Sequence, residues 1–137
     1  MNLKIKLFSL VLALSVLLGG CAQTLPAPIE TTGESLTVSF LDVGQADCAL
    51  LECGDEFMLI DGGNREDSQL VVSYLEQQGV RELAAVVCTH AHEDHVGGLP
   101  AVLAVYPTKA VYAPTRTYSS KIFDKFVYYT DQQGLEI

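Results

Sequence analysis

"VVCTHAHEDHVGGL", residues 86–99, is the stretch on which the prediction of the fold depends. It starts as the end of an apolar run, turns polar at Thr89 and closes on two glycines and a leucine. All three histidines of the chain lie here, in a His-x-His-x-Asp-His arrangement that runs from His90 to His95. Imidazole and carboxylate groups are ordinary ligands of zinc. The spacing therefore predicts a metal-binding loop at the end of a buried strand; histidines that merely face solvent are the alternative.

The residues ahead of this loop predict three short strands. Residues 36–42, 47–53 and 56–61 are rich in β-branched and other apolar residues, and Gly54-Asp55 between the last two suits a two-residue hairpin turn. The pattern predicts an antiparallel meander.

The rest of the chain alternates helices and strands. A near-continuous apolar run is typical of a strand buried on both faces, and apolar residues three and four apart indicate helices. The predicted elements are a helix at 66–78, a strand at 83–90, a polar loop at 89–98, a helix at 99–106, a strand at 109–114 and a helix at 119–134. This order predicts an α/β fold in which helices pack on a mixed sheet.

Composition restricts the possible functions. The chain has 137 residues, 49% hydrophobic and 18% charged, which suits about one globular domain. Its formal net charge of −9 argues against nucleic-acid binding through a basic patch. An enzyme that meets a phosphodiester through bound cations escapes this objection, because the ions dominate the local field.

The N-terminus resembles a bacterial lipoprotein leader. Two lysines precede an apolar run at 7–18, which is shorter than the roughly 20 residues of a membrane-spanning helix. Leu18-Gly19-Gly20-Cys21 resembles a lipobox, which implies a signal peptide at 1–20, a lipid on Cys21 and a tether at 21–35. We therefore expect an extracytoplasmic protein anchored to the bacterial cell membrane. An uncleaved anchor or a plain signal peptide are the alternatives.

Three further cysteines, Cys48, Cys53 and Cys88, show no regular spacing. An odd number is not a disulfide framework. We expect all three to be buried free thiols.

Three blocks together resemble one family. "VSFLDVGQADCALLE" (38–52), "MLIDGG" (58–63) and the histidine block (86–99) are similar to the metallo-hydrolase domain of ComEC-type competence proteins, within the metallo-β-lactamase fold superfamily. Ala46 stands where the family usually has glycine, so that turn is expected to differ slightly. The resemblance implies an αββα sandwich, of which residues 36–137 supply the first half.

The resemblance also implies roles for individual residues. His90 and His92 correspond to ligands of a first metal ion. Asp94 and His95 correspond to ligands of a second, so two zinc ions are expected, or another divalent metal such as manganese. Asp94 is also expected to be catalytic, by orienting the hydroxide that attacks phosphorus. Asp61 is expected to support the histidine loop from behind, although a plain turn residue is the alternative.

Neighbouring residues have weaker assignments. Asp42 and Asp47 line the rim of the site in relatives, although Asp42 also suits a strand-end cap. Thr89 is expected to hydrogen-bond within the loop, and Glu93 to face solvent as a spacer. Cys88 is interpreted as a core thiol rather than a soft metal ligand.

The implied function is a lipid-anchored, metal-dependent hydrolase that acts on phosphodiesters, DNA among them; no protein partner is indicated. In the family, a third histidine for each metal and a bridging aspartate come from later strands, and this chain has no fourth histidine. We therefore expect an N-terminal part of a longer hydrolase. A truncated, inactive lipoprotein is the alternative, as is a hydrolase of other esters such as teichoic-acid phosphoesters or, less plausibly, β-lactams.

Overall fold

The computed structural model describes residues 35–137. The predicted signal peptide, the lipid attachment at Cys21 and residues 21–34 of the tether lie outside the described residues. The elements are β1 (Leu36–Phe40), β2 (Ala49–Cys53), β3 (Glu56–Ile60), a 3-10 turn (Arg65–Asp67), α1 (Ser68–Gln77), β4 (Ala85–Val87), α2 (Glu93–Val96), α3 (Leu99–Val105), β5 (Val111–Tyr112) and α4 (Lys121–Gln132).

The five strands form one mixed sheet in the order β1-β2-β3-β4-β5. β1, β2 and β3 form the predicted antiparallel meander, and Gly54 takes the positive φ of 58° that its hairpin turn requires. β3, β4 and β5 are parallel to one another. The predicted fold class, a mixed sheet with helices packed on it, is therefore confirmed.

One face of the sheet is buried beneath helices. Leu50, Leu59, Val86 and Val111 lie in register across four neighbouring strands and are all buried. They belong to one apolar core with residues of three helices, namely Val71 and Leu75 of α1, Val102 and Leu103 of α3, and Phe123 and Phe126 of α4. Burial of these side chains is the main source of the free energy that holds helices and sheet together.

The opposite face is apolar as well, but it is open. Phe40 and Tyr112, at the two ends of a row that crosses all five strands, are 84% and 58% exposed. The three residues between them, Ala49, Ile60 and Val87, are only partly buried. No element within residues 35–137 covers this face completely.

Several element boundaries differ from the prediction. β4 has three residues and β5 has two, which is shorter than predicted. Beyond these residues, Leu83 and Thr108 form an isolated bridge, and single backbone hydrogen bonds link the flanking segments. The predicted helix at 66–78 opens with a 3-10 turn, and Gly79 follows its end with a φ of 75°. Within residues 35–137, no helix combines the length and the apolar character that a membrane crossing needs.

The polar loop at 89–98 was wrongly predicted to lack helix. Residues Glu93–Val96 form the single-turn helix α2, and His92 precedes it in an extended conformation. Two acidic residues in the first turn, Glu93 and Asp94, suit the positive end of a helix.

The prediction of three buried thiols is correct for Cys48 and Cys88 and wrong for Cys53. Cys53 is exposed because it is the last residue of β2, next to the hairpin turn and on the open face of the sheet. All three are free cysteines.

Candidate metal centre

The carboxyl ends of two parallel strands define the position of the centre. Asp61 follows β3 directly, and Thr89 and His90 follow β4. The Asp61 amide donates a hydrogen bond to the Val87 carbonyl oxygen at 2.8 Å, which holds the two strand ends side by side. Residues that leave such strand ends meet at one edge of the sheet, where sites of α/β proteins commonly lie.

Two glycine pairs, Gly62-Gly63 and Gly97-Gly98, let the chain segments approach each other closely. The Gly62 amide donates to the His95 carbonyl oxygen at 2.7 Å. A Cβ atom on Gly62 would lie 2.7 Å from the Leu99 nitrogen, and one on Gly98 would meet the Gly62 carbonyl at less than 3.0 Å. Since these neighbours are backbone atoms, they cannot rotate away. The contact requires glycine, and it fixes the histidine loop against the end of β3.

Asp61 connects the two segments through its carboxylate. Its side chain is buried, with only 3% of its surface exposed. It accepts three hydrogen bonds: from the Thr89 amide at 2.8 Å, from the Thr89 hydroxyl at 2.5 Å and from His95 Nδ1 at 2.9 Å. Asp61 has a φ of 57°, which makes it the one non-glycine residue of the described chain in the left-handed region. The surrounding hydrogen bonds offset the cost of this conformation, as is common at functional sites.

The hydrogen bond to Asp61 determines which His95 nitrogen is free. An ionised carboxylate can only accept a hydrogen bond, so Nδ1 carries the hydrogen, and Nε2 of the neutral ring keeps its lone pair. His95 Nε2 lies 3.7 Å from Asp94 Oδ2, on the side where the other candidate ligands gather. A carboxylate behind a ligating histidine is the usual way that proteins orient such a ring toward a metal.

Three donors come together around this point. One ligand atom each of His90, Asp94 and His95 lies within 4.8 Å of the other two. The rings of His90 and His95 are close, with centroids 3.6 Å apart. Two imidazole nitrogens and a carboxylate oxygen are the donor types of a catalytic zinc site, which commonly has three protein ligands and one open position. The chemistry of the donor set therefore fits a divalent ion.

His92, the fourth predicted ligand, is exposed and lies outside this three-donor group. Its ring is 4.9 Å from that of His90 and 5.9 Å from that of Tyr118, measured between centroids. The prediction divided the four ligands into His90 with His92 and Asp94 with His95. In the structure, His90 lies with Asp94 and His95, and His92 lies next to this group.

The acidic residues of the rim have different surroundings. Asp47 is 74% exposed at its side chain, its Oδ2 lies 3.6 Å from His95 Nδ1, and its amide donates to the Asp94 carbonyl oxygen at 3.1 Å. Asp42 instead accepts a hydrogen bond from the Gly44 amide at 3.3 Å, which is a local turn contact at the end of β1. Glu93 is exposed.

The Cys88 thiol supports the loop from the core side. It donates to the His90 carbonyl oxygen at 3.1 Å and does not belong to the three-donor group. Burial raises the pKa of Cys88 to about 12, and the nearby Asp61 carboxylate adds to the increase. Burial likewise raises the pKa of Cys48 to about 12, again with a contribution from Asp61. Both groups are protonated thiols at neutral pH in the metal-free chain.

A surface depression of about 620 Å³ opens beside the donor group. It is lined by Asn64, Arg65, Glu66, Glu93 and Asp94. A substrate placed there would touch the Asp94 side of the three-donor group.

Two features of this region were not predicted from the sequence. Tyr118 lies against both His92 and Phe123, and Arg65 lines the depression next to Asp94. Neither residue belongs to a recognisable motif, and both come from segments whose proximity to the loop only the folded chain reveals. Thr89 hydrogen-bonds within its own loop, as expected, because its hydroxyl lies 3.4 Å from both His90 Nδ1 and His95 Nδ1. Its amide and its hydroxyl also donate to Asp61, which the sequence did not predict.

Comparison with known protein families identifies the class. Residues 41–135 match the metallo-beta-lactamase superfamily. The chain therefore belongs to the metallo-beta-lactamase superfamily, whose members are metal-dependent hydrolases.

Individual relatives differ in their activities. The chain is 40% identical over 68 residues to hydroxyacylglutathione hydrolase from Tolumonas auensis, a match that covers 50% of this chain and 25% of that protein. It is 32% identical over 91 residues to ribonuclease J from Mycolicibacterium smegmatis, covering 65% of this chain and 15% of that protein. Among solved structures, metallo-beta-lactamase SMB-1 bound to 2-mercaptoethanesulfonate has a TM-score of 0.48 at 25% identity, with 54% of this chain and 29% of that chain covered. The chain thus spans about a quarter of the length of the hydroxyacylglutathione hydrolase that it matches.

Proposed function

We propose that this chain carries the metal-binding segment of a hydrolase that cleaves phosphodiesters, related to the ComEC-type competence proteins. The observation that carries the proposal is the three-donor group of His90, Asp94 and His95, held in place by the Asp61 carboxylate. Such a group suits a metal-dependent hydrolase of the superfamily to which the chain belongs.

Four residues would hold the metal. His90, Asp94 and His95 supply the gathered donors, and His92, beside His90, would add a fourth ligand toward a site for two zinc ions or two other divalent ions such as manganese. When bound, such ions supply Lewis acidity and lower the pKa of water.

The chain's own residues have defined tasks in this proposal. Asp61 keeps the proton on His95 Nδ1, so that Nε2 stays available as a ligand atom. Asp94, the partly exposed carboxylate at the wall of the depression, would orient the attacking group toward a substrate in that depression. The glycine contact holds these groups in one geometry, so that little reorganisation is needed during the reaction.

Two observations favour phosphodiesters. The similarity to ribonuclease J extends over 65% of the chain, a longer match than that to hydroxyacylglutathione hydrolase from Tolumonas auensis. The three sequence blocks at 38–52, 58–63 and 86–99 also resemble competence proteins, which suggests DNA as the substrate. The 40% identity to hydroxyacylglutathione hydrolase supports a second candidate, hydrolysis of a glutathione thioester.

The test combines metal content with two substrates. The full chain is purified in detergent, loaded with zinc, and assayed with bis-(p-nitrophenyl) phosphate and with a hydroxyacyl-glutathione thioester. We expect bound zinc and phosphodiester hydrolysis, and we expect Asp94→Asn to lose at least about a hundredfold in rate. Asp55→Asn, in the hairpin turn remote from the site, is the matched control.

Other outcomes have distinct meanings. Thioester hydrolysis without phosphodiester hydrolysis would favour the second candidate. Bound zinc with neither activity would mean that this chain alone is inactive, either as a truncated lipoprotein or as one part of a longer hydrolase.

We also propose that a lipid on Cys21 anchors the protein to the outer face of the bacterial cell membrane. The support is the lipobox-like Leu18-Gly19-Gly20-Cys21 behind a short apolar run. Mass spectrometry of the N-terminal peptide should find a diacylglyceryl group on Cys21, and Cys21→Ser should release the protein from the membrane fraction. An unmodified Cys21 in membrane-associated protein would contradict the proposal.

A further inference from the structure

Positive charge is scarce in this chain and unevenly placed. Against 17 acidic residues there are eight lysines and arginines, of which Lys4 and Lys6 lie outside the described residues. Three of the remaining six, Arg65, Lys121 and Lys125, line a single surface depression of about 280 Å³, together with Glu93, Ser120 and Ile122.

These three cations differ from most of the others. Lys109 pairs with Glu82 and Arg116 with Asp131, each at 3.0 Å. Within residues 35–137, no carboxylate lies within ion-pairing distance of Arg65, Lys121 or Lys125. The lining therefore contains three cations and one carboxylate, that of Glu93, and its net positive charge favours an external anion.

The depression adjoins the candidate metal centre. Helix α2, which carries Asp94 and His95, packs against the 3-10 turn on one side and against α4 on the other. Arg65 therefore reaches the depression from one neighbour, and Lys121 and Lys125 reach it from the other. Arg65 and Glu93 also line the larger depression beside Asp94, so the two depressions share a wall.

We propose that Arg65, Lys121 and Lys125 form an anion subsite that binds a phosphate of the substrate next to the phosphate that is hydrolysed. The inference rests on the proposed phosphodiesterase function and deepens it, because it names a substrate with consecutive phosphates, such as a polynucleotide. A glutathione thioester has no phosphate to place there. The subsite also explains how a chain with a net charge of −9 attracts a polyanion at one location.

A binding experiment tests the subsite without turnover. The full chain is treated with a chelator and titrated with inorganic pyrophosphate, with backbone amide shifts followed by NMR. The amides of residues 65, 121 and 125 should respond. The combined variant Arg65→Gln, Lys121→Gln, Lys125→Gln should weaken binding roughly tenfold or more, and the salt dependence of binding should become shallower.

A charge-matched control distinguishes a specific anion site from general electrostatic attraction. The combined variant Arg81→Gln, Lys109→Gln, Arg116→Gln removes the same charge elsewhere and should retain most of the affinity. Equal losses in both variants, or no pyrophosphate binding by the wild type, would overturn the proposal. All six residues are on the surface, and an unchanged circular dichroism melting curve verifies folding of each variant.

A second arm asks whether the phosphate belongs to a substrate. The dinucleotides pdTpdT and dTpdT differ by one terminal phosphate. We expect pdTpdT to bind the wild type more tightly and the subsite variant to abolish that difference. If pyrophosphate binds but the two dinucleotides bind equally, the assignment to a substrate phosphate is wrong. If the binding results hold while zinc-loaded protein hydrolyses neither phosphodiester nor thioester, the proposed function fails and the subsite remains.

Discussion

The candidate metal centre consists of two regions with opposite physical character. The frame, residues 61–63 and 97–98, is buried, and its backbone contacts are so close that the two segments leave no room for a Cβ atom on Gly62 or Gly98. The ligand group, His90, Asp94 and His95, consists of side chains that solvent reaches to different degrees. The frame thus contributes to the stability of the fold, whereas the side chains of the ligand group are available to bind a metal ion.

Asp61 belongs to both regions. Its backbone and its two hydrogen bonds to Thr89 are part of the frame, while its bond to His95 orients a ligand. The difference between the regions predicts that substitutions in the frame mainly lower the free energy of unfolding. Substitutions among the ligands should mainly lower metal affinity, and Asp61 should affect both.

The largest loss of stability is expected from Gly98→Ala. The added methyl group would collide with the Gly62 carbonyl, and the histidine loop would have to move away from β3. Overpacking of this kind should cost about 3 kcal/mol in the free energy of unfolding, measured by urea denaturation.

Gly44→Ala is the matched control for this glycine. Gly44 has a φ of 65° and open space around it, so its substitution costs only the backbone strain, about 1 kcal/mol. Equal losses at Gly98 and Gly44 would show that the close contact between the two segments is not a determinant of stability.

Asp61→Asn should have the next largest effect. An amide nitrogen would face one of the donors that the carboxylate now satisfies, at a cost of about 2–3 kcal/mol. It should also lower zinc affinity by about 10–100-fold, because His95 loses its orienting partner. Urea denaturation and a zinc competition titration measure the two effects. The control is Asp42→Asn, at an exposed turn residue, which should change stability by less than about 0.5 kcal/mol. If Asp61→Asn loses stability without a change in zinc affinity, Asp61 has only a structural role.

The sequence was sufficient to predict the fold class because local patterns determine it. Alternating apolar residues, the Gly54-Asp55 turn and the glycines at 79 and 134 mark strands and helix ends wherever they occur. The lengths of β4 and β5 were overestimated because an apolar run such as 83–90 is buried whether or not every residue pairs. The helix α2 was missed because it is a single turn of four residues, of which only Val96 is apolar, and so short a segment shows no apolar periodicity.

For the candidate site, the sequence predicted the residue types and left their geometry open. The spacing from His90 to His95 identified the donors, and the division of the four ligands between two metal ions, which the family resemblance implied, stays a prediction. The contact between Asp61 and His95 joins residues 34 positions apart, and only the family resemblance suggested it. Arg65 and Lys121 were not identified, because single surface cations become a group only when α2 brings their two elements together.

His90→Ala should have the opposite effect to the frame substitutions: metal affinity should fall, while the stability of the metal-free chain should hardly change. His90 lies in the ligand group, and its ring has one long hydrogen-bond contact, 3.4 Å from Nδ1 to the Thr89 hydroxyl, so the stability of the metal-free chain should change by less than about 0.5 kcal/mol. Zinc should raise the melting temperature of the wild type, since it binds only the folded state, and this increase should be lost in the variant. Differential scanning fluorimetry with and without zinc measures it. Glu93→Gln, in the same loop but outside the group, should keep the zinc response; its loss there as well would contradict the assignment of ligands.

The smallest effect concerns the thiols behind the frame. Because the pKa of Cys48 and of Cys88 is raised to about 12 in the folded chain, both remain protonated and buried at pH 8. Iodoacetamide should therefore modify exposed Cys53 within minutes and spare Cys48 and Cys88 until the chain unfolds. The ordinary pKa of these thiols is 9.0, so the unfolded chain releases protons that the folded chain retains. The contribution of these two thiols to stability should then be constant below about pH 8 and decline as the pH rises from 9 toward 12. Mass spectrometry of alkylated peptides distinguishes the three sites, and rapid modification of Cys88 in the native chain would mean that the histidine loop opens far more readily than the packing of its glycines allows.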